Sequence, residues 1–130
     1  MSGVNMAGLN ELEQAVLDKL LAGDHPVLAT IRQQISQARL TKREYTGVGF
    51  YCNFEVESNA PTVAGDFHIG DVHAELEGLA HGAGFVLFIR GGRISMLEGY
   101  TYDEPWPERI QSFSLKYTDP ERKAELAKLG

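Results

Sequence analysis

The sequence predicts an α+β domain, in which a helical hairpin packs on a mostly antiparallel sheet of about five strands and a short helix follows. Apolar residues recur every three or four positions between residues 10 and 38, and at every second position from residue 43 onward. The pair Gly91-Gly92 lies between Arg90 and Arg93, which is typical of a two-residue turn joining antiparallel strands.

The first helix is predicted to begin after Asn10, because Asn10 and Glu13 have the spacing of a capping box. Gly23 is expected to cap its end, and Asp24 is expected to cap the start of a second helix with Pro26 in its first turn. The apolar stripe of the first helix is Leu12, Ala15, Val16 and Leu20, and that of the second is Val27, Leu28, Ile31, Ile35 and Ala38.

The strands follow from the two-residue period. The first predicted strand has its inward residues at Val48, Phe50, Cys52, Phe54 and Val56. The second begins at Phe67 and changes phase at Gly70-Asp71, which indicates a β-bulge. The run Phe85 to Ile89 is apolar on both faces, as expected of a central strand.

The Gly91-Gly92 turn predicts the pairing of the two strands beside it. In that register Phe85, Leu87 and Ile89 share one face with Glu98, Met96 and Ile94. A last strand carries the alternating residues Phe113, Leu115 and Tyr117, and a short charged helix is expected between Pro120 and Leu129.

Composition limits the classes of function. The 130 residues, 43% of them hydrophobic, fit a single domain spanning 1–130, with 1–9 as a flexible lead-in. The net charge of −6 argues against a nucleic-acid or membrane partner, since both need a basic surface. The basic cluster at Arg39, Lys42 and Arg43 is interpreted as a solvated helix end. One cysteine and no apolar run of spanning length favour a cytoplasmic protein, and no cofactor is predicted.

Three strings resemble a family of small uncharacterised bacterial proteins. They are Gly47-Val48-Gly49-Phe50, Gly70-Asp71-Val72 and the run from Leu97 to Pro107, which reads LEGYTYDEPWP. The resemblance covers the chain from about Asn10 to Tyr117. It implies a bacterial cytosolic protein, and it implies no activity and no functional residues.

The segment after the hairpin is the main candidate binding surface. It combines aromatic residues with acids, namely Tyr100, Tyr102 and Trp106 with Asp103 and Glu104. Exposed tyrosine and tryptophan often anchor interfaces, and the acids around them favour a basic partner. The alternative is that Trp106, between two prolines, closes the edge of the core as a rigid lid.

Two isolated residues, Glu98 and Cys52, have side chains that could take part in catalysis. The predicted register places Glu98 beside Phe85 and Met96, where a carboxylate needs a hydrogen-bonding partner, so Glu98 is a weak candidate for a catalytic group. Cys52 belongs to an inward series of apolar residues, and we expect it to be a buried core residue rather than a nucleophile.

A possible metal site lies on the second strand. His68, Asp71, His73 and Glu75 include side chains that share one face, because residues two apart on a strand point the same way. Their spacing matches no established metal signature, and the opposite positions are apolar. The favoured interpretation is the solvated face of a strand, with no metal bound.

These observations favour a small binding protein over an enzyme. No catalytic motif is present, and an acidic aromatic loop is available, so we expect an inhibitor-like or immunity-like protein that binds a basic partner protein. The alternative is a small metal-dependent hydrolase with His68, Asp71 and His73 as ligands and Glu98 or Glu75 as general base. A homodimer is compatible with either function.

Overall fold

The computed structural model describes residues 6–130, and the α+β prediction is confirmed. The helices are α1 (Glu11–Leu20), α2 (Pro26–Ile35) and α3 (Lys123–Ala127). The strands are β1 (Ala38–Tyr45), β2 (Gly49–Val56), β3 (Phe67–Leu76), β4 (Ala83–Arg90), β5 (Arg93–Thr101) and β6 (Phe113–Tyr117). They form one antiparallel sheet in the order β1-β2-β5-β4-β3-β6, with six strands instead of about five.

The N-terminal helices begin where polar side chains bind free backbone N–H groups. The capping box predicted at Asn10 and Glu13 is present. The predicted cap of α2 at Asp24 is wrong, because the Nδ1 atom of His25 accepts the bond from the N–H of Val27 at 3.1 Å. No helix within residues 6–130 has the length and apolar character needed to cross a membrane.

The described part of the expected lead-in begins with a buried residue. Met6 is buried with 4% of its surface exposed, and its N–H donates to Gln14 of α1 at 3.1 Å. Met6 therefore packs against α1, and the flexibility expected for 1–9 stays a prediction. Residues 1–5, the rest of that prediction, lie outside the described chain.

The strand β1 was missed. The sequence predicts a helix end here, whereas Arg39, Lys42 and Arg43 lie on this edge strand. Arg39 pairs with Glu55 across the strand pair, and Arg43 points inward to the carboxylate of Glu13. Charges occupy both faces of β1, so the strand lacks a regular apolar alternation.

The core lies between the sheet and the two long helices. One face of the sheet carries the buried residues and packs against α1 and α2. Its members include Phe50, Cys52, Ile69, Val72, Phe85, Leu87, Ile89 and Leu97. The other face, called the open face below, carries the half-buried Tyr51, Val86, Phe88, Met96, Glu98, Tyr100 and His73.

Two register features determine which side chains reach which face. The predicted bulge at Gly70-Asp71 is confirmed by a shift between Ile69 and Val72. A second shift, after the Gly91-Gly92 turn, lies between the pairs of Ile89 and Phe88. The predicted pairing beyond that turn is therefore wrong: Glu98 pairs with Val86 and lies on the open face, away from Phe85.

A buried glutamine connects the helical layer to the sheet. Gln34 of α2 is fully buried, and its Nε2 donates to the carbonyls of Pro61 and Gly92 at 2.9 and 2.8 Å. Its Oε1 accepts from the N–H of Ile94 at 2.9 Å. One side chain thereby satisfies three backbone groups in the hairpin turn and the preceding loop.

A buried ion pair connects the C-terminal segment to α1. The Arg122 guanidinium binds both carboxylate oxygens of Asp71, at 2.7 and 3.1 Å. It also donates to the carbonyls of Leu20 and Ala22, which lie at the C-terminal end of α1 where carbonyls lack helical partners. Its guanidinium carbon lies 4.3 Å from the ring centre of Tyr117.

Candidate binding cleft

A cleft of about 550 Å³ opens where α1 begins. Its walls come from four separate parts of the chain: the start of α1, the β1–β2 turn, the 106–110 segment and β6. It is lined by Asn10, Glu11, Leu12, Glu13, Tyr45, Gly47, Phe50, Trp106, Pro107, Glu108, Ile110 and Phe113. The cleft therefore has an apolar floor and an acidic rim.

Trp106 forms one wall and is held in place. Its N–H donates to the carbonyl of Gly47 at 2.7 Å, and its ring lies edge-on to Phe50 with 5.2 Å between the ring centres. Phe50 is buried and lies across Gly99, where an added Cβ would come within 2.2 Å of the Phe50 ring. Trp106 therefore closes the core, as one interpretation predicted, and also presents part of its surface to the cleft.

The segment between β5 and Trp106 is also held in place at its start, by hydrogen bonds of Thr101 and Glu104. The hydroxyl of Thr101 lies within hydrogen-bonding distance of the carbonyls of Val48 and Glu104. The carboxylate of Glu104 accepts from the N–H groups of Ala80 and His81, both at 2.9 Å. These two bonds lower the pKa of Glu104 below its usual value. The acidic loop is thus anchored by hydrogen bonds at both of its ends.

The charge of the cleft is negative. Among its described lining residues, Glu11, Glu13 and Glu108 are acidic and none is basic. Glu13 is buried and its charge is used internally, because Arg43 binds both of its oxygens. Glu11 and Glu108 are exposed, so the solvent-accessible charge among the lining residues is acidic.

The buried side of the same carboxylate contacts Cys52. The thiol is fully buried and donates to Oε2 of Glu13 at 3.4 Å. Burial, with the nearby charge of Glu13, raises the pKa of Cys52 to about 12. A thiol with so high a pKa is a poor nucleophile at neutral pH, which agrees with the expected core position.

The remaining residues of the predicted binding segment lie on the other side of the sheet. Tyr100 lies over Gly84, where an added Cβ would come within 2.5 Å of its ring. Tyr102 is 43% exposed, contacts Tyr100 edge-on at 5.7 Å, and stacks on His73 with 6.1 Å between ring centres. Burial raises the pKa of Tyr100. The structure therefore separates Tyr100 and Tyr102 from Trp106, and Asp103 lies between them at a φ of 65°.

Glu98 lies beside Tyr51 on the open face. The two residues pair across β2 and β5, and the charge of Glu98 raises the pKa of the Tyr51 hydroxyl. The carboxylate is half-buried and outside the apolar core. It therefore lies away from Phe85 and the buried face, where its catalytic candidacy had placed it.

The residues of the suggested metal site are divided between two environments. Asp71 is buried and bound to Arg122. His73 lies on the open face with its Nε2 atom 3.3 Å from Oε1 of Glu75, and His68 contacts the ring of Phe88. Within residues 6–130, no three or more His, Cys, Asp or Glu side chains are placed to hold a metal ion.

Several lining residues were not predicted from the sequence. Tyr45 is 63% exposed at the cleft, and the structure places Ile110 and Phe113 on the opposite wall. Tyr45 ends the strand that was missed, and Ile110 follows a loop with no regular pattern. The isolated aromatic residue Tyr45 could have been noticed in the sequence. Its position near Trp106, however, follows only once residues 38–45 are recognised as a strand.

Comparison with known proteins adds no assignment. No protein-family description, curated protein or solved structure matches this chain significantly.

Proposed function

We propose that the protein is a binding module of the inhibitor or immunity type, which takes a cationic, partly apolar segment of a partner protein into the cleft beside Trp106. The observation that carries the proposal is the composition of the cleft: aromatic and aliphatic walls with a rim on which the exposed charges are acidic.

Apolar surface in the cleft provides the anchoring contact. Phe50 is buried behind Trp106, while Trp106 is half-buried and Tyr45 is largely exposed. Large aromatic side chains that bury more surface on association supply most of the energy of many interfaces. A ligand side chain such as leucine or phenylalanine fits between these walls.

The acidic rim provides the selectivity. Glu11 and Glu108 face solvent without an ion-pair partner in the described chain, whereas Arg43 is occupied by Glu13. A lysine or arginine of the partner, next to its apolar anchor residue, is therefore attracted by the charges of Glu11 and Glu108. A glutamate of the partner at the same place is repelled by them. We place this activity in the cytosol, where the buried free thiol of Cys52 remains reduced.

The test uses Trp106 as its reporter, since it is the single tryptophan of the chain. Short peptides with a central leucine flanked by lysines are titrated while Trp106 emission is followed, and the same peptides flanked by glutamate are compared. We expect a saturable change for the lysine peptides only, with binding that weakens as salt is raised.

Charge reversal at the rim provides the matched variant. Glu108→Lys is expected to weaken the lysine peptides about fivefold, equal to about 1 kcal/mol, because an exposed ion pair contributes about that much. Glu121→Lys makes the same change at an exposed position outside the cleft and should bind like the parent protein. Equal binding of both peptide sets, or an unaffected Glu108→Lys variant, would contradict the proposal.

A further inference from the structure

The open face carries an apolar patch on its two middle strands, among the charged residues of the same face. Antiparallel sheets with one covered face usually alternate apolar residues inward and polar residues outward. Here the centre of the uncovered face carries Val86, Phe88 and Met96 on the two middle strands, β4 and β5. Phe88 and Met96 are paired directly opposite each other, so their side chains form one apolar patch.

Aromatic residues extend this patch onto the neighbouring strand β2 and along β5. Tyr51 of β2 lies next to Glu98 of β5, and the ring of Tyr100 lies close to Gly84. Tyr102 leaves 43% of its surface exposed beyond Tyr100. None of these side chains belongs to the cleft, because they point from the opposite side of the sheet.

The charge of the open face distinguishes it from the rest of the surface. Side-chain alternation places four acids and five bases on its strands. The acids are Glu44, Glu55, Glu75 and Glu98, and the bases are Arg39, Lys42, Arg90, Arg93 and Lys116. The chain as a whole has a net charge of −6, so the remaining surface carries the negative excess.

The distribution of charge favours a second copy of the chain as the partner that binds the open face. Two copies of a chain with a charge of −6 repel each other through most orientations. The nearly neutral open face avoids that repulsion, and the ion pairs Arg39–Glu55 and Lys42–Glu44 already balance charges within it. A strongly basic partner finds no such excess of acid here and is better matched by the cleft.

The size of the open face is sufficient for a stable contact. The sheet has six strands, five of them with eight or more residues. At a strand spacing of about 4.8 Å and a rise of about 3.4 Å per residue, the face measures roughly 24 by 27 Å. Its projected area of roughly 650 Å² approaches the ~800 Å² that each partner buries in a standard interface.

We propose that the protein forms a homodimer in which the open faces of two copies pack against each other around Val86, Phe88 and Met96. The two sheets then form the inside of a four-layer assembly with the helices outside. Both clefts remain accessible, because each lies on the helical side of its own sheet.

Sedimentation of the full chain measures this directly. Between about 1 and 100 μM, the mass is expected to rise toward twice the 14.3 kDa of one chain, since interfaces of this size commonly have dissociation constants from micromolar downward. Met96→Lys places a charge at the centre of the patch and should raise the dimer dissociation constant at least about a hundredfold. Phe88→Ala should weaken the dimer in the same direction.

Two controls separate dimerisation from folding. Gln33→Lys adds the same charge on the exposed side of α2 and should leave the dimer intact. Thermal unfolding of Met96→Lys at low concentration should match the dilute parent protein. A parent protein that stays monomeric at every concentration overturns the proposal, and so does a dimer that Met96→Lys leaves unchanged.

Discussion

Replacing Gln34 with leucine tests how the helical layer is held on the sheet. Leucine has a similar volume, so the fully buried site stays filled while all three hydrogen bonds are lost. The carbonyl of Gly92 keeps its bond from the N–H of Val63, and the half-buried Pro61 can recruit water. The N–H of Ile94 loses its partner inside the core.

The magnitude follows from those three losses. An unpaired buried backbone group costs about 1–3 kcal/mol, and the two other bonds add less because their acceptors retain partners. We expect Gln34→Leu to lower the free energy of unfolding by about 2–3 kcal/mol. For 130 residues this corresponds to a fall in Tm of roughly 9 °C.

Urea unfolding followed by circular dichroism measures the change. Gln33→Leu, at the exposed neighbouring position of α2, is the control and should alter stability by less than about 0.5 kcal/mol. Gln34→Glu should be worse than Gln34→Leu, because a carboxylate beside two carbonyl oxygens cannot donate to them. If Gln34→Leu unfolds like the parent protein, the hydrogen bonds do not hold the layers together and the reasoning fails.

Three other predictions concern ionisable side chains that are buried or held by hydrogen bonds. Asp71→Asn leaves the Arg122 guanidinium without its counter-charge and should cost about 3–5 kcal/mol in urea unfolding; a loss below about 1 kcal/mol would refute this. Cys52 should resist iodoacetamide in the folded protein at pH 8 and should react after unfolding. The free energy of unfolding should decline above pH 9, because the unfolded thiol ionises there with its ordinary pKa of 9.0. The folded thiol stays protonated, since its pKa is about 12. The chemical shifts of the Ala80 and His81 amide protons should change together below pH 4.5, because their bonds lower the pKa of Glu104. The stabilisation by these bonds is present at neutral pH and is lost as the pH falls through the lowered pKa. Glu104→Gln should abolish this pH-dependent change.

The sequence predicted the parts of the fold whose causes are local. The capping box at Asn10 and Glu13, the Gly91-Gly92 turn and the bulge at Gly70 each depend on residues within a few positions of one another. The edge strand β1 was missed because its stability comes from pairing with β2 and from the bond between Arg43 and Glu13. Neither contact leaves an alternating apolar pattern in residues 38–45.

The candidate site was predicted less completely for the same physical reason. One register shift near Ser95 reverses the face on which Glu98 lies, and no residue type marks that shift in the sequence. The cleft is built from four segments that are distant along the chain, so its composition emerges only after folding. Trp106 was identified because its unusual setting between prolines is visible locally.

The Asp71–Arg122 pair also determines how late in its synthesis the chain can finish folding. Asp71 lies in β3, whereas its partner lies 51 residues later, after β6. A growing polypeptide that has released β1 to β5 from the ribosome still lacks the guanidinium that balances this carboxylate and caps the end of α1. Because burying an unpaired carboxylate is costly, the final packing of α1 on the sheet waits for Arg122 to emerge. This domain therefore completes its fold only after Arg122 has left the ribosome.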